Sequence, residues 1–384
     1  MRHDDGPGPP AAPDVLEFGG RPAGPRRWSR RVALVAALAV VAGIIGYRLV
    51  PAAPAPAPSP PAGAAVPTTP ASVDPAPQRS AVGHGLLAVP AGWELFGWGP
   101  GGVVRIELAR GVVTRTPVPP LDSTGPVSFL VGRDWAMVRP LDRVPGYRVP
   151  DGQPALPLAG PFSHGGPVLP GPGGDTVWVS HDESQDVSMV LVDGRTGTPT
   201  GPAVPVPAEV GADVVPDGTG YLLLRGTGGT YLARPDGRQR VTTGQLLATG
   251  PTRWLVAECD SPAACGTVVV DRATGARRAL PGYDHPPVQG LGVVSPQGGL
   301  AAVQETDVAG QTGLHLVDLA TGTDRRLEVP IDQPVDPATV VWSPDGRWLF
   351  VAGVDGTLFV VAAATAQVSA LEPTLPPVRR LALR

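Results

Sequence analysis

Apolar residues are distributed along this chain in three ways, and each predicts a different kind of element. Between Val32 and Val50 they run on as VALVAALAVVAGIIGYRLV. From residue 51 to 80 they give way to proline, alanine, serine and threonine. From residue 81 onward they come in short bursts separated by Gly-, Pro- and Asp-bearing turns, the pattern of β-strands.

The first pattern predicts a transmembrane signal anchor over residues 30–50. Its uninterrupted core, Val32 to Tyr47, is short for a bilayer but reaches about 19 residues if Arg48 snorkels and Leu49 and Val50 stay at the interface. Arginines 21, 26, 27, 30 and 31 lie before or at the start of the run, which places that side in the cytoplasm. Residues 1–29 are too rich in Gly and Pro to bury a core, so they read as a disordered cytoplasmic head. Within it Val15, Leu16, Glu17 and Phe18 form an apolar island, read either as a partner motif or as incidental. A cleaved signal peptide is the rival to the anchor: Ser29-Arg30-Arg31-Val32-Ala33-Leu34 partly matches a twin-arginine signal, but no aromatic follows the arginines, and Ala53 and Ala55 mark an ambiguous cleavage site among prolines. Either way the body is extracytoplasmic. Residues 51–80, PAAPAPAPSPPAGAAVPTTPASVDPAPQRS, read as an extended Pro/Ala-rich linker with a reach on the order of 90 Å.

The body, 81–384, repeats itself. Trp342-Ser343-Pro344-Asp345-Gly346-Arg347-Trp348 reads as strand, tight turn and strand, and related segments stand at Val294-Ser295-Pro296-Gln297-Gly298 and Val215-Pro216-Asp217-Gly218. A second turn recurs as Asp193 to Gly197, Asp271 to Gly275 and Asp318 to Gly322, each Asp-x-x-Thr-Gly at the end of an apolar strand. Asp and Thr side chains can bond the turn backbone, and Gly permits a positive φ. These anchors recur about every 40 to 45 residues, the period of a four-stranded blade. Seven units follow: Leu86 to Thr116, Val127 to Leu156, Val168 to Thr200, Ala212 to Thr242, Leu246 to Leu280, Leu291 to Leu327 and Val340 to Leu371. The predicted fold is all-β, a seven-bladed β-propeller. The tail Val378 to Arg384, VRRLALR, reads as a strand without a blade, expected to pair with the unit around Leu86 to Thr116, where Leu86 to Val89 competes for the same place.

Composition changes this picture little. The chain of 384 residues has 51 Gly and 50 Pro, no lysine and no asparagine, so its 30 basic residues are all arginine. A net charge of −4 with no basic stripe in the body gives nucleic-acid binding no electrostatic support.

Candidate chemistry is sparse. The two cysteines, Cys259 and Cys265, flank a hairpin loop and read as a structural disulfide; they lack the Cys-x-x-Cys spacing of a redox site. A loop this short gains less than the roughly 3 kcal/mol of a 15-residue loop. His181, Asp182, Glu183 and Asp186 can supply cation ligands, though their place after a strand favours a solvated hairpin tip. His164, His285 and His315 fall in different units, and nothing in the sequence brings them to one point. Ser343 belongs to a repeated turn and is not a nucleophile candidate. The tryptophans at 93, 98, 135, 178, 254, 342 and 348 read as packing between blades, with a carbohydrate-binding face as the alternative. No catalytic residue, metal ligand or cofactor is assigned.

The Ser-Pro-Asp-Gly and Asp-x-x-Thr-Gly repeats resemble those of TolB-like and WD40-like β-propellers, particularly membrane-anchored propeller proteins of actinobacteria. The resemblance covers residues 81–384 and is densest in the second half. The Gly-His and Trp-Asp dipeptides of true WD40 blades are missing. The Asp-x-x-Thr-Gly turn is also similar to quinoprotein repeats, but the Trp that follows there is absent from all three copies, so no pyrroloquinoline cofactor is expected. The resemblance implies a membrane-tethered, non-catalytic binding or scaffold domain for a protein, peptide or envelope glycan. The alternative is an extracytoplasmic hydrolase or lyase with its site at the propeller channel, and a third reading is signal transmission through the head.

Overall fold

The two repeated turns form from their own side chains. Ser343 Oγ accepts the N–H of Trp348 at 3.0 Å and donates to Asp345 Oδ1 at 2.7 Å, while Gly346 takes a φ of +65°. Asp193 Oδ1 accepts the N–H groups of Arg195 and Thr196 at 2.9 and 2.8 Å, and Gly197 reverses the chain at a φ of +73°. Each reversal sets the next apolar strand antiparallel to the last, so the chain grows as successive meanders.

The computed structural model describes residues 76–384 except 122–124, 143–144, 184–185, 208–212, 227, 235–236, 262–263, 284–288, 307–311 and 332–334; at 182, 183, 186, 259–261, 264 and 289 it describes the backbone alone. The head, the anchor at 30–50 and the linker up to residue 75 lie outside the described residues. Among the described residues no helix is long and apolar enough to cross a membrane.

The strands form six sheets. Four are four-stranded meanders, spanning 127–157, 168–206, 214–242 and 340–370. A fifth joins three strands of 94–116 to Gln78–Ala81 on its outer edge and Arg380–Leu383 on its inner edge. The strands of 246–327 form one eight-stranded sheet. Inner strands touch in succession: Val127–Val131 with Val168–Pro170, that strand with Val214–Pro216, and Gln289–Val294 with Val340–Trp342. Arg380–Leu383 contacts both Val340–Trp342 and Val127–Val131, which closes the ring. The fold is an all-β propeller.

Seven separate blades are therefore not what the sheets form. Five stand alone, and the strands of the units Leu246 to Leu280 and Leu291 to Leu327 are hydrogen-bonded into one sheet, through a parallel pairing of Ala248 with Gly292 and Thr249 with Val293. Small side chains explain it. A Cβ on Gly292 would lie 2.5 Å from the carbonyl oxygen of Ala302 and 3.0 Å from the Cβ of Ala248, so only glycine beside alanine lets the two backbones pair.

Apolar cores fill the space between neighbouring meanders. Phe96 and Val103 pack with Phe129 and Val138, and Trp178 and Met189 with Leu222 and Leu224. A further core lies inside the eight-stranded sheet, where Leu247, Leu255 and Val269 meet Ala301, Val303 and Val317. These side chains leave water on folding, and each fully buried one contributes about 1.5–3 kcal/mol.

The tail closes the ring as its pattern predicts, with Leu95 opposite Leu383 and Trp98 opposite Arg380. Leu86 to Val89 does not compete: it forms no strand, and the Leu86 N–H bonds the carbonyl of Leu108 at 2.9 Å. Closure needs two glycines. A Cβ on Gly97 would lie 2.4 Å from Val378 Cγ1, and one on Gly99 2.1 Å from the carbonyl oxygen of Pro377. Arg384 then clamps the joint: its guanidinium binds Glu94 at 3.0 Å and Asp151 of the next sheet at 2.7 Å, over the ring of Phe96.

Burial alone would raise the Glu94 carboxyl, but the hydrogen bonds and charges of Arg105 and Arg384 outweigh it and hold the group below its ordinary value. A carboxylate lowered on folding stabilises above its unfolded pKa, and that contribution is lost as pH falls through the folded value. Glu94→Gln is therefore expected to cost about 1–3 kcal/mol at neutral pH, read by urea denaturation. The gap between wild type and variant should close below the ordinary carboxylate range of about 4. A gap unchanged across that range would contradict the clamp.

Candidate ligand-binding site

Counting outward from the axis, the first and third reversals of every meander lie on one face of the ring. The second reversal and the link to the next meander lie on the other. The repeat turns occupy the first face. Asp271 accepts the Thr274 N–H at 2.9 Å and its hydroxyl at 2.8 Å, Asp318 accepts the N–H groups of Ala320 and Thr321, and Gly275 and Gly322 have φ of +71° and +76°. The N–H groups of Thr196 and Thr274 hold Asp193 and Asp271 below the ordinary carboxylate range. Gly346 lies against the Gln297 side chain of the preceding unit's turn, and Gln297 donates to the carbonyl of Pro344 at 3.2 Å. All these residues build turns; none lines the cavities of the ring described below.

One turn differs. Asp217, in Val-Pro-Asp-Gly, is 0% exposed. It accepts the N–H groups of Thr219 and Tyr221, and Arg272 of the next sheet reaches its Oδ2 with Nε at 2.9 Å and Nη2 at 2.5 Å. Its carbonyl also accepts Trp254 Nε1 at 2.9 Å. By its motif Asp217 is an ordinary turn residue; the signal that sets it apart is the Arg following Asp271, which the Asp193 and Asp318 copies lack.

The tryptophans mostly do what packing demands. Trp135, Trp178, Trp254 and Trp342 are buried. The indole N–H groups of Trp178 and Trp342 cross to the carbonyls of Gly220 and Val293 at 2.8 and 3.1 Å. Trp93, Trp98 and Trp348 are half-buried. Cys259 and Cys265 are direct register partners across the hairpin of Arg253–Ser261 and Ala264–Asp271. Glu183 pairs with Asp186 at the end of another hairpin, so His181 and its acidic neighbours sit at a strand tip. Nothing in the spacing of His164 and His181 joins them, yet their rings meet edge to face at 5.9 Å. His285 lies outside the described residues, and His315 belongs to the eight-stranded sheet.

The axial channel, a cavity of 710 Å³, is walled by the inner strands, with Phe129, Leu169, Val215, Leu291 and Leu381 among its apolar lining. Its charged lining residues are Arg225, Asp336 and Arg380. Arg225 bonds Asp213 at 2.6 Å, and Arg380 bonds Asp336. On the face opposite the repeat turns a second cavity of 660 Å³ adjoins the channel and shares Pro126, Val127 and Arg380 with it. Trp98, Pro100, Pro119, Pro120, Leu121 and Arg379 form much of its wall, and none of its described lining residues is acidic. The main chain of Arg379 is fixed by its N–H bonding the Trp98 carbonyl at 2.7 Å. The hollow brings together an aromatic ring, prolines, one exposed guanidinium and a second, half-buried one.

Compared by sequence, no family model and no curated protein matches the chain. Among solved structures it is similar to TolB from Acinetobacter baumannii, at 13% identity and a TM-score of 0.41 over 76% of this chain and 66% of that one, less than two thirds of TolB's length. A putative 6-phosphogluconolactonase from Bacteroides fragilis has 13% identity and a TM-score of 0.45, over 76% of this chain and 97% of that one. AztD from Citrobacter koseri has 13% identity and a TM-score of 0.43, over 75% and 83%.

Removing one partner from a buried ion pair strands the other charge. Asp217→Ala is expected to destabilise the propeller by about 3–5 kcal/mol, whereas Asp193→Ala in an exposed turn should cost about 1 kcal/mol. Chemical denaturation of the two variants checks this, and equal losses would show that Asp217 is an ordinary turn residue.

Proposed function

We propose that this chain is a membrane-tethered, extracytoplasmic binding module, held by residues 32–50, whose propeller takes an acidic segment of an envelope protein or peptide into the cavity beside the channel mouth. The cavity's charge and shape support the reading: Trp98 and four prolines line it, Arg379 offers an exposed cation, and there is no carboxylate among its described lining residues. The hydrolase or lyase alternative would need carboxylates and histidines converging on the axis. Among the described channel residues Asp336 is the one carboxylate, and Arg380 binds it.

We count the eight-stranded sheet as two blades sharing an edge, giving seven. Its two antiparallel halves, joined by a short parallel contact with a core between them, support this count. We also assign Cys259 and Cys265 to a disulfide, which their facing positions and an oxidising compartment support. If so, alkylation of the protein in intact cells leaves both cysteines unlabelled until a reductant is added. Labelling without reduction contradicts both the bond and the compartment.

Binding is tested with a photo-crosslinking residue at Leu121 in the full chain, in living cells, beside a control at Thr196 on the repeat-turn face. The expected outcome is a discrete adduct from Leu121 and none from Thr196. Arg379→Glu and Trp98→Ala should each weaken it about tenfold or more, the scale of a lost charge contact or an aromatic anchor. An adduct sensitive to glycan hydrolase would make the ligand a glycan, and adducts from Thr196 alone would move the site to the other face.

A further inference from the structure

His315 sits in a chemical setting apart from the channel. Within the eight-stranded sheet, Glu305 is next to last in the strand Leu300–Thr306, His315 lies in Thr312–Asp318, and Asp324 opens Asp324–Leu327. The register puts Glu305 opposite Gly313, two residues from His315, and Asp324 opposite Val317, two residues beyond it. Strand alternation therefore turns all three side chains to one face, the face that Tyr283 packs against. One ligand atom from each lies within 4.8 Å of the others. His315 Nδ1 is 3.0 Å from Asp324 Oδ2 and 3.8 Å from Glu305 Oε2. We propose that Glu305, His315 and Asp324 bind one divalent transition-metal ion of the zinc class, at a site separate from the channel and independent of the peptide-binding reading.

The distances suit such an ion without strand movement. Metal–ligand bonds of about 2.1 Å set tetrahedral ligand atoms about 3.4 Å apart, between the two separations observed. One imidazole with two carboxylates is a donor set for zinc and its neighbours, whereas calcium takes six to eight oxygens. Three protein ligands leave a fourth position for water. Exposure rises across the set, with side chains 6% exposed at Glu305, 17% at His315 and 31% at Asp324, so the site opens to solvent on the Asp324 side.

Orientation of the buried ligand is fixed from the neighbouring half of the sheet. The hydroxyl of Tyr283, itself fully buried, donates to Glu305 Oε1 and leaves Oε2 facing His315. Such a hydrogen bond behind a ligating carboxylate typically governs metal affinity by about 10–100-fold. Arg326 faces His315 across the register and lays its guanidinium over Gly313.

The test uses the purified full chain, stripped with a chelator and titrated with Zn²⁺, Mn²⁺ and Ca²⁺ by calorimetry. The expected result is one saturable Zn²⁺ equivalent, with Mn²⁺ weaker and Ca²⁺ not bound. His315→Ala should lower Zn²⁺ affinity at least tenfold and Tyr283→Phe about tenfold, while His164→Ala leaves it unchanged. On the wild-type chain, Zn²⁺ should also protect His315 from acylation by diethyl pyrocarbonate, a readout independent of whether the variants fold. Absence of saturable Zn²⁺ binding up to millimolar concentration, or His315 acylated equally with and without zinc, overturns the proposal.

Discussion

A ring of sheets is stable only if its two ends meet, and here they meet through an approach that side chains would forbid. Gly97 and Gly99 bring the strand Glu94–Gly99 under the chain at Pro377 and Val378, so that Arg380–Leu383 can complete the sheet. An unpaired inner strand would leave both an open edge and an uncovered apolar surface. Leu95, Ile106 and Val378 on one side and Phe350 and Val360 on the other are buried together only because the ring is closed. The paired charges around Arg384 add direction to a joint that the apolar core makes favourable.

The same constraint builds the cavity. Trp98, Gly99, Arg379 and Arg380 all belong to the closing pair of segments, and most of the remaining wall comes from the link that follows Thr116 and leads into the strand at Val127. The place where the ring closes is thus also the place where an aromatic ring, prolines and the exposed Arg379 guanidinium converge. Residues nearly 300 positions apart supply one wall, as in the bond between Arg384 and Glu94, separated by 290 positions. Stability and the shape of the cavity are coupled at this seam, since loosening the closing strand also displaces Arg379 and Arg380.

Much of the fold was legible because it is local. The alternation of apolar residues, the Gly and Asp of the turns, and the spacing of the Ser343 and Asp318 motifs specify strands and reversals with no reference to the rest of the chain. The tail VRRLALR was legible as a strand in need of a partner. The fusion of two units into one sheet was not, because it depends on Ala248 and Gly292 lying side by side, and small residues carry no pairing signal of their own. The site was scarcely legible for the same reason. Trp98 and Arg379 are distant in sequence, and the repeats that drew attention, such as Asp193 and Asp271, lie on the opposite face. Asp217 and Arg272 show how alike turns diverge: only their meeting across a seam makes one of them a buried anchor. Glu305, His315 and Asp324 sit within one unit, but register, rather than spacing, turns them to a common face.

Native-state hydrogen exchange on the full chain, wild type against Gly97→Ala, tests the closure most directly. The account predicts that the amides of Arg380 to Leu383 in the wild type are as protected as those of the core strand Leu358–Ala362, and that the added methyl removes protection from this strand together with Val127–Val131 and Val340–Trp342 on either side. Loss confined to Arg380 to Leu383, with both neighbours unchanged, would contradict the claim that the ring stands on this joint.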